Sequence, residues 1–523
     1  MSKFHSVVSR RDFMKAIGLG AAGVGAAGAA APVFHDLDEF ISAKPQTQRE
    51  RAWWVKEVEH PTVDIDWDLM ARHHSFHSTQ SNAINARYLG LNELNGLLAQ
   101  QAAAKKAAIL NNTPGLTLRD QALNLASRGM GFTGTEKDKF IDTRVAAIAT
   151  PESLGVPRWE GTPEENLTMM QAAMAHFGAS NIGTAELHGD HQKLLANFGR
   201  QSIAQTYFPY GSTNTWPPPT AFIQPMVFTN EKKFAFDATT GTTSIPGSGV
   251  YTLSYTVPQS HEMMRTTPNS AIFSAANITR YRLRESIRAC TQMFIRGLGY
   301  QCMYDEPYGA MPGIAGAVLT GLVENGRHTI MGISPEHGST VGLFELYTDL
   351  PMAHTKPVDA GIWRFCQDCG ICAKHCPSDS IEPKGGREIS YEPYASRITP
   401  KHPELPGLGF SPRGAGESEY FKLGRKTYWT DMITCAEYRA PLSNGCMLCF
   451  GVCVFNSQYG ALVHDMVRGT VATTGLLNGF FADMDETFGF GLKEGEAKEE
   501  WWKMSLPAYG YSTALGAKHG GYK

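Results

Sequence analysis

Eight cysteines crowded into one stretch constrain this chain more than any other feature. Of its ten cysteines, Cys366, Cys369, Cys372, Cys376, Cys435, Cys446, Cys449 and Cys453 lie in the last third, the first four within eleven residues. Disulfides in a secreted chain are scattered in pairs. This density points to metal ligation instead.

The first run, Cys366-Gln-Asp-Cys369-Gly-Ile-Cys372-Ala-Lys-His-Cys376-Pro377, has every spacing of the bacterial ferredoxin motif C-x2-C-x2-C-x3-C-P. Short gaps let one tight loop wrap three thiolates around a cube face, and Gly370 relieves crowding where the backbone passes inorganic sulfide. Zinc sites rarely use three close cysteines followed by Cys-Pro. The second run has Cys435, ten intervening residues, then Cys446-Met-Leu-Cys449-Phe-Gly-Val-Cys453, with Val454 where the motif has proline. Together the runs supply ligands for two [4Fe–4S] clusters. In the crossed ferredoxin arrangement one cluster takes Cys366, Cys369, Cys372 and Cys453, and the other takes Cys376, Cys435, Cys446 and Cys449. A Pro/Gly-rich insertion, 393–413, separates the runs. Cys290 and Cys302 lie in or after apolar stretches and read as small hydrophobes.

The N-terminus explains how such cysteines suit an exported protein. Ser9-Arg10-Arg11-Asp12-Phe13-Met14-Lys15 reads as a twin-arginine signal, followed by a Gly/Ala-rich segment from Ala16 to Ala31. That route carries proteins already folded around their cofactors. The apolar run is shorter than the ~20 residues of a membrane span, so the mature chain is expected to be soluble or peripheral. With 42% hydrophobic and 19% charged residues and a net charge of -3, the composition is that of a globular protein. No basic, aromatic-studded run suggests a nucleic-acid partner.

More than three hundred residues precede the cysteine module, far more than an electron carrier needs. Within them, 278–298 reads as an amphipathic helix, with Leu283, Ile287, Cys290, Phe294 and Leu298 facing a core. On another side Asn277, Tyr281, Arg284 and Arg288 recur, setting a phenol near two guanidinium groups. Such a phenol could donate a proton, although periodicity alone favours a solvated polar face. The aromatics Trp53, Trp54, Trp216, Tyr251, Tyr255 and Phe273 are candidates for an apolar pocket or for core.

In order, the leader, Tyr281 with Phe294-Ile-Arg-Gly-Leu-Gly-Tyr300, Gly321-Leu-Val-Glu-Asn-Gly-Arg327, Thr348-Asp-Leu-Pro351 and the two cysteine runs resemble the catalytic subunits of respiratory reductive dehalogenases, of the organohalide-respiring Dehalococcoides type. The resemblance implies an α+β fold: a nitroreductase-like α/β corrinoid-binding core with a C-terminal bacterial ferredoxin-like two-cluster module. It implies a corrinoid of the cobalamin type whose lower ligand is not a protein histidine, and no Asp-x-His-x-x-Gly signature is present. The implied reaction replaces carbon–halogen by carbon–hydrogen in a small halogenated organic substrate, a chlorinated ethene or arene, through cob(I)alamin. Tyr281 matches the family's proton donor. At the positions of the family's supporting Asn or Lys and Arg the sequence differs: Tyr304 and Asp305 stand near one, and Gly342 stands in place of the arginine. A small membrane-anchor subunit and an electron-donating respiratory complex are the implied partners, with the enzyme on the outer face of the cytoplasmic membrane.

The resulting division is 1–43 export signal, 44–160 N-terminal region, 161–350 catalytic core, 351–460 two-cluster module and 461–523 C-terminal extension. Two rival readings are an exported iron–sulfur electron-transfer subunit with no substrate of its own, and an epoxyqueuosine reductase-like corrinoid enzyme. The long upstream region weighs against the first. The export signal weighs against the second.

Overall fold

The computed structural model describes residues 51–503 except 74–81, 128–148, 200–223, 238, 305–309, 388, 392–395, 403–422, 457–461 and 488–490. The twin-arginine leader, Trp216, Asp305 and most of the 393–413 insertion lie outside the described residues. The fold mixes helix and sheet, in keeping with the α+β expectation.

At the centre is a four-stranded antiparallel sheet built from β2 (Ile182–Glu186), β7 (Tyr251–Pro258), β8 (Cys302–Tyr304) and β9 (Val341–Thr348), in the order β2-β7-β9-β8. In β7 the apolar residues alternate, so Leu253, Tyr255 and Val257 share one face. They meet Phe344 and Leu346 of β9, and two helices pack on this face: Pro163–Phe177, through Met170 and Met174, and Ala271–Gly297, through Ile287 and Ile295. The other face carries buried Thr252, Ser254 and Glu345. Against it lies the short helix Gly313–Leu319, whose glycines permit a close approach. A Cβ on Gly316 would come within 2.8 Å of Glu345 Oε1. A second sheet, β3 (Phe198–Gly199), β4 (Gln224–Thr229), β5 (Ala235–Asp237) and β6 (Thr242–Pro246), has the order β3-β4-β6-β5.

The long helix starts seven residues before the sequence suggests. Ser270 caps it by accepting a hydrogen bond from the Ile272 amide. It ends at Gly297, and Gly299 turns the chain at φ 93°. A Cβ there would meet Arg158 Cβ at 2.6 Å, so the position needs glycine twice over. Cys302 is fully buried in the sheet core, whereas Cys290 is half-buried. Of the pocket-candidate aromatics, Tyr255 and Phe273 are core, Trp54 packs in the cysteine module, and Trp53 is 76% exposed. Among the described residues no helix is long and apolar enough to cross a membrane.

The segment Gly321–Arg327 fastens this core to the cysteine module. Glu324 is 1% exposed, and its Oε1 accepts from the amides of Ala360 (2.7 Å) and Ile362 (3.2 Å). Its Oε2 accepts from the Trp363 amide (3.3 Å) and the Thr62 hydroxyl (2.9 Å). The carboxylate thus caps helix Ile362–Cys369, which carries Cys366 and Cys369. Burial pushes its carboxyl up to about 7 against the pull of these donors. Three residues on, the Arg327 guanidinium donates to the carbonyls of Cys366 (2.9 Å), Gln367 (2.9 Å), Glu382 (2.9 Å) and Pro383 (3.2 Å). It also stacks on Tyr428 at 4.0 Å. β1 (Lys56–Glu57) pairs with β10 (Val358–Asp359) just before the capped helix. Glu324→Gln puts an amide N–H₂ among groups that donate, so it is expected to cost about 1–3 kcal/mol. Denaturant unfolding would show this as a lower midpoint at unchanged slope, and an unchanged midpoint would remove the capping role.

Candidate functional site

The cysteines sit on short helices and on the turns that follow them. Cys366 and Cys369 share one helix, Gly370 (φ 74°) turns the chain, and Cys372 lies on the single turn Ile371–Lys374 just before Cys376. Cys435 is on helix Met432–Arg439, and Cys449 is on the turn Leu448–Gly451 just before Cys453. Spatially the thiols sort into two sets. Cys366 has Cys369, Cys453 and Cys372 as electrostatic neighbours. Cys449 has Cys435, Cys446 and Cys376, with Cys372 bridging from the other set. Cys376 and Cys453, the last cysteine of each run, therefore each lie with the cysteines of the other run.

Burial raises the thiols of Cys366, Cys369, Cys446, Cys449 and Cys453, and neighbouring cysteines raise Cys366 and Cys449 further. Cys366 and Cys449 stand well above the usual range, Cys369 at about 12, and Cys446 and Cys453 at about 11. Thiols this buried become thiolates only if cations share the space, as the irons of a cluster would. Among the described residues no three His, Cys, Asp or Glu side chains converge on one point as a single-ion site requires. In a cubane each cysteine binds its own corner iron, so convergence on one point is not what such a set needs. The donor chemistry fits two clusters.

Tyr281 lies in the wall between the long helix and the sheet, half-buried, with its ring edge-on to Phe344 at 5.8 Å. Its hydroxyl accepts a hydrogen bond from Arg280 Nη2 at 3.0 Å. The Arg284 guanidinium stands 5.4 Å from the ring centroid. The polar side of this helix is not solvated: Arg280, Arg284, Glu285 and Arg288 are all buried. Arg284 and Arg288 both pair with Glu285, and Arg288 stacks on Tyr304 at 4.1 Å.

Arg280 is the partner that sequence periodicity misses. Although it stands three residues after Asn277 and four before Arg284, it is adjacent to Tyr281 in sequence, and neighbours one residue apart do not ordinarily face each other on a helix. It folds back because Gly342 leaves room: a Cβ at 342 would meet Arg280 Cδ at 2.8 Å. The glycine in the strand and the arginine on the helix are two halves of one arrangement. Among the described residues no carboxylate pairs with Arg280, and its Nε is buried without an acceptor. The buried guanidinium thus places a charged hydrogen-bond donor on the Tyr281 oxygen.

Against the second cysteine run lies His328, 1% exposed, its ring 5.4 Å from that of Phe450. Among the described residues neither ring nitrogen has a hydrogen-bond partner, and burial lowers its pKa to about 4, leaving a neutral imidazole. Gln259 Oε1, just past the end of β7, is likewise buried and without a partner among the described residues. Buried donors and acceptors left open like this suit an amide-rimmed cofactor.

Comparison with known proteins fits this geometry. The profile of the reductive dehalogenase subunit family matches residues 50–352. A chloroethene reductive dehalogenase of Dehalococcoides mccartyi (strain VS) is 30% identical over 98% of this chain and 99% of its own length. A trichloroethene reductive dehalogenase of D. mccartyi (strain ATCC BAA-2266 / KCTC 15142 / 195) is 28% identical over 98% of this chain and 99% of its own length. A solved reductive dehalogenase, described as suggesting a mechanism for B12-dependent dehalogenation, shares the fold at 16% identity and TM-score 0.53. That match covers 86% of this chain and 51% of the solved one, so this chain spans about half its length. The chain belongs to the reductive dehalogenase family.

Proposed function

We propose that this chain is the catalytic subunit of an exported, corrinoid-dependent respiratory reductive dehalogenase acting on chlorinated ethenes. One carbon–chlorine bond is replaced by carbon–hydrogen, consuming two electrons and one proton and releasing chloride. The observation that carries the reading is the Tyr281 hydroxyl held by Arg280 in a core joined to two four-thiol sets. The names of the full-length relatives support the substrate class.

A bound corrinoid supplies the low-valent cobalt that breaks the carbon–halogen bond. His328 and Gln259 would hold its amide rim. The core would be the nitroreductase-like part of the fold and the cysteine segment the ferredoxin-like module, delivering electrons singly. Tyr281 gives its phenolic proton to the reacting carbon, and Arg280 stabilises the resulting phenolate. The buried Arg284–Glu285–Arg288 network keeps this stretch of helix rigid and excludes water. The twin-arginine leader supports export, which places the enzyme at the outer face of the cytoplasmic membrane. There a small membrane-anchor subunit and an electron-donating respiratory complex would serve it.

Three outcomes test this. Protein loaded with cobalamin, iron and sulfide and given a reduced low-potential dye is expected to release chloride from chlorinated ethenes. Absence of release from every member of the series would reject the proposal. Tyr281→Phe is expected to lower kcat by about 10²–10⁴-fold, the usual share of a general acid, with cofactor content unchanged. Full turnover in that variant would end the proton-donor role. Arg280→Gln removes a charged donor worth about 1.5–3 kcal/mol, so kcat is expected to fall roughly ten- to a hundredfold with KM little changed. A rise in KM alone would reassign Arg280 to substrate binding.

A further inference from the structure

Two charged side chains of opposite sign stand against the two thiol sets. Arg439 follows Cys435 by four residues on helix Met432–Arg439, which puts the two side chains on one helical face. Arg439 Nε is buried and has no hydrogen-bond partner among the described residues. A buried guanidinium N–H without an acceptor is costly. An anionic sulfur beside Cys435 would satisfy it. In keeping with that position, burial raises Cys435 and Cys446 while Arg439 draws both down.

The other set meets helix Asn478–Thr487. Asn478 donates to Asp368 at 3.1 Å, and Ala482 is buried in one cluster with Cys369, Cys372 and Cys453. Asp485 continues that face, seven residues after Asn478 and three after Ala482. Its neighbour Glu486 is taken up by Lys374 (2.7 Å) and His375 (3.2 Å). Asp485 has no ion pair within the described residues, Arg265 being its nearest opposing influence. It acts on Cys369 and Cys453. Other charges nearby are already engaged. Arg327 is spent on backbone carbonyls, and Asp431 accepts from Ser396, the Arg397 amide and the amides of its own helix.

We infer that Arg439 raises the reduction potential of the cluster on Cys376, Cys435, Cys446 and Cys449, and that Asp485 lowers that of the cluster on Cys366, Cys369, Cys372 and Cys453. The inference rests on the cluster reading proposed above. Reduction adds one negative charge to a cluster. A cation in contact stabilises the reduced form, and a carboxylate opposes it. Arg439 and Asp485 are positioning residues that act through the clusters, and their charges separate the two potentials along the electron path.

The test is a redox titration of the fully loaded chain, followed by electron paramagnetic resonance at pH 8.5, where Asp485 is ionised. Arg439→Gln is expected to lower one midpoint and leave the other in place. Asp485→Asn is expected to raise the other midpoint alone. Each shift should reach a tenfold change in the reduced-to-oxidised ratio at fixed potential, about 59 mV for a one-electron couple. Arg439→Lys, keeping the charge, should return most of the first shift. Fully loaded variants whose midpoints stay put, or move together, overturn the inference. A wild-type chain that takes up fewer than two clusters overturns the cluster reading itself.

Discussion

The buried clamp formed by Glu324 and Arg327 is the interaction on which the rest of the structure depends. One carboxylate caps the helix that carries Cys366 and Cys369, and one guanidinium ties down the carbonyls around it. Both side chains are almost wholly buried. A buried charge survives only when its hydrogen-bonding capacity is filled, and here each fills the other domain's open backbone groups. The core and the cysteine module are therefore held in a fixed relation.

The rest follows from what that clamp positions. The long helix brings Tyr281 to the sheet at one level and packs against Phe450 and Cys449 of the second cysteine run at another. Arg280, Arg284, Glu285 and Arg288 sit buried along the same helix, where an ordinary surface helix would present them to water. Their burial is a stability cost retained beside Tyr281.

Much of this was legible in the sequence because the chemistry is local. The cysteine runs declare themselves by spacing, and the crossed grouping of Cys376 and Cys453 follows from the motif's geometry. The long helix is visible by periodicity, though its first seven residues are not, since their apolar contacts lie in the distant segment around Phe450. Arg280 was missed because its role depends on a glycine sixty-two residues away, and a residue adjacent to Tyr281 is not an expected helical partner for it. Glu324 was visible only as part of a motif; its capping function needs the Ala360–Trp363 backbone brought beside it. His328 carried no signal at all, since an orphaned imidazole is recognised only by its surroundings.

The central claim is that the eight cysteines are the electron inlet of a cobalt enzyme. Elemental analysis of the anaerobically loaded, desalted chain tests it most directly. The account predicts eight irons, eight acid-labile sulfides and one cobalt for each polypeptide. Eight irons with no cobalt would leave an electron carrier, and zinc in place of iron and sulfide would contradict the account altogether.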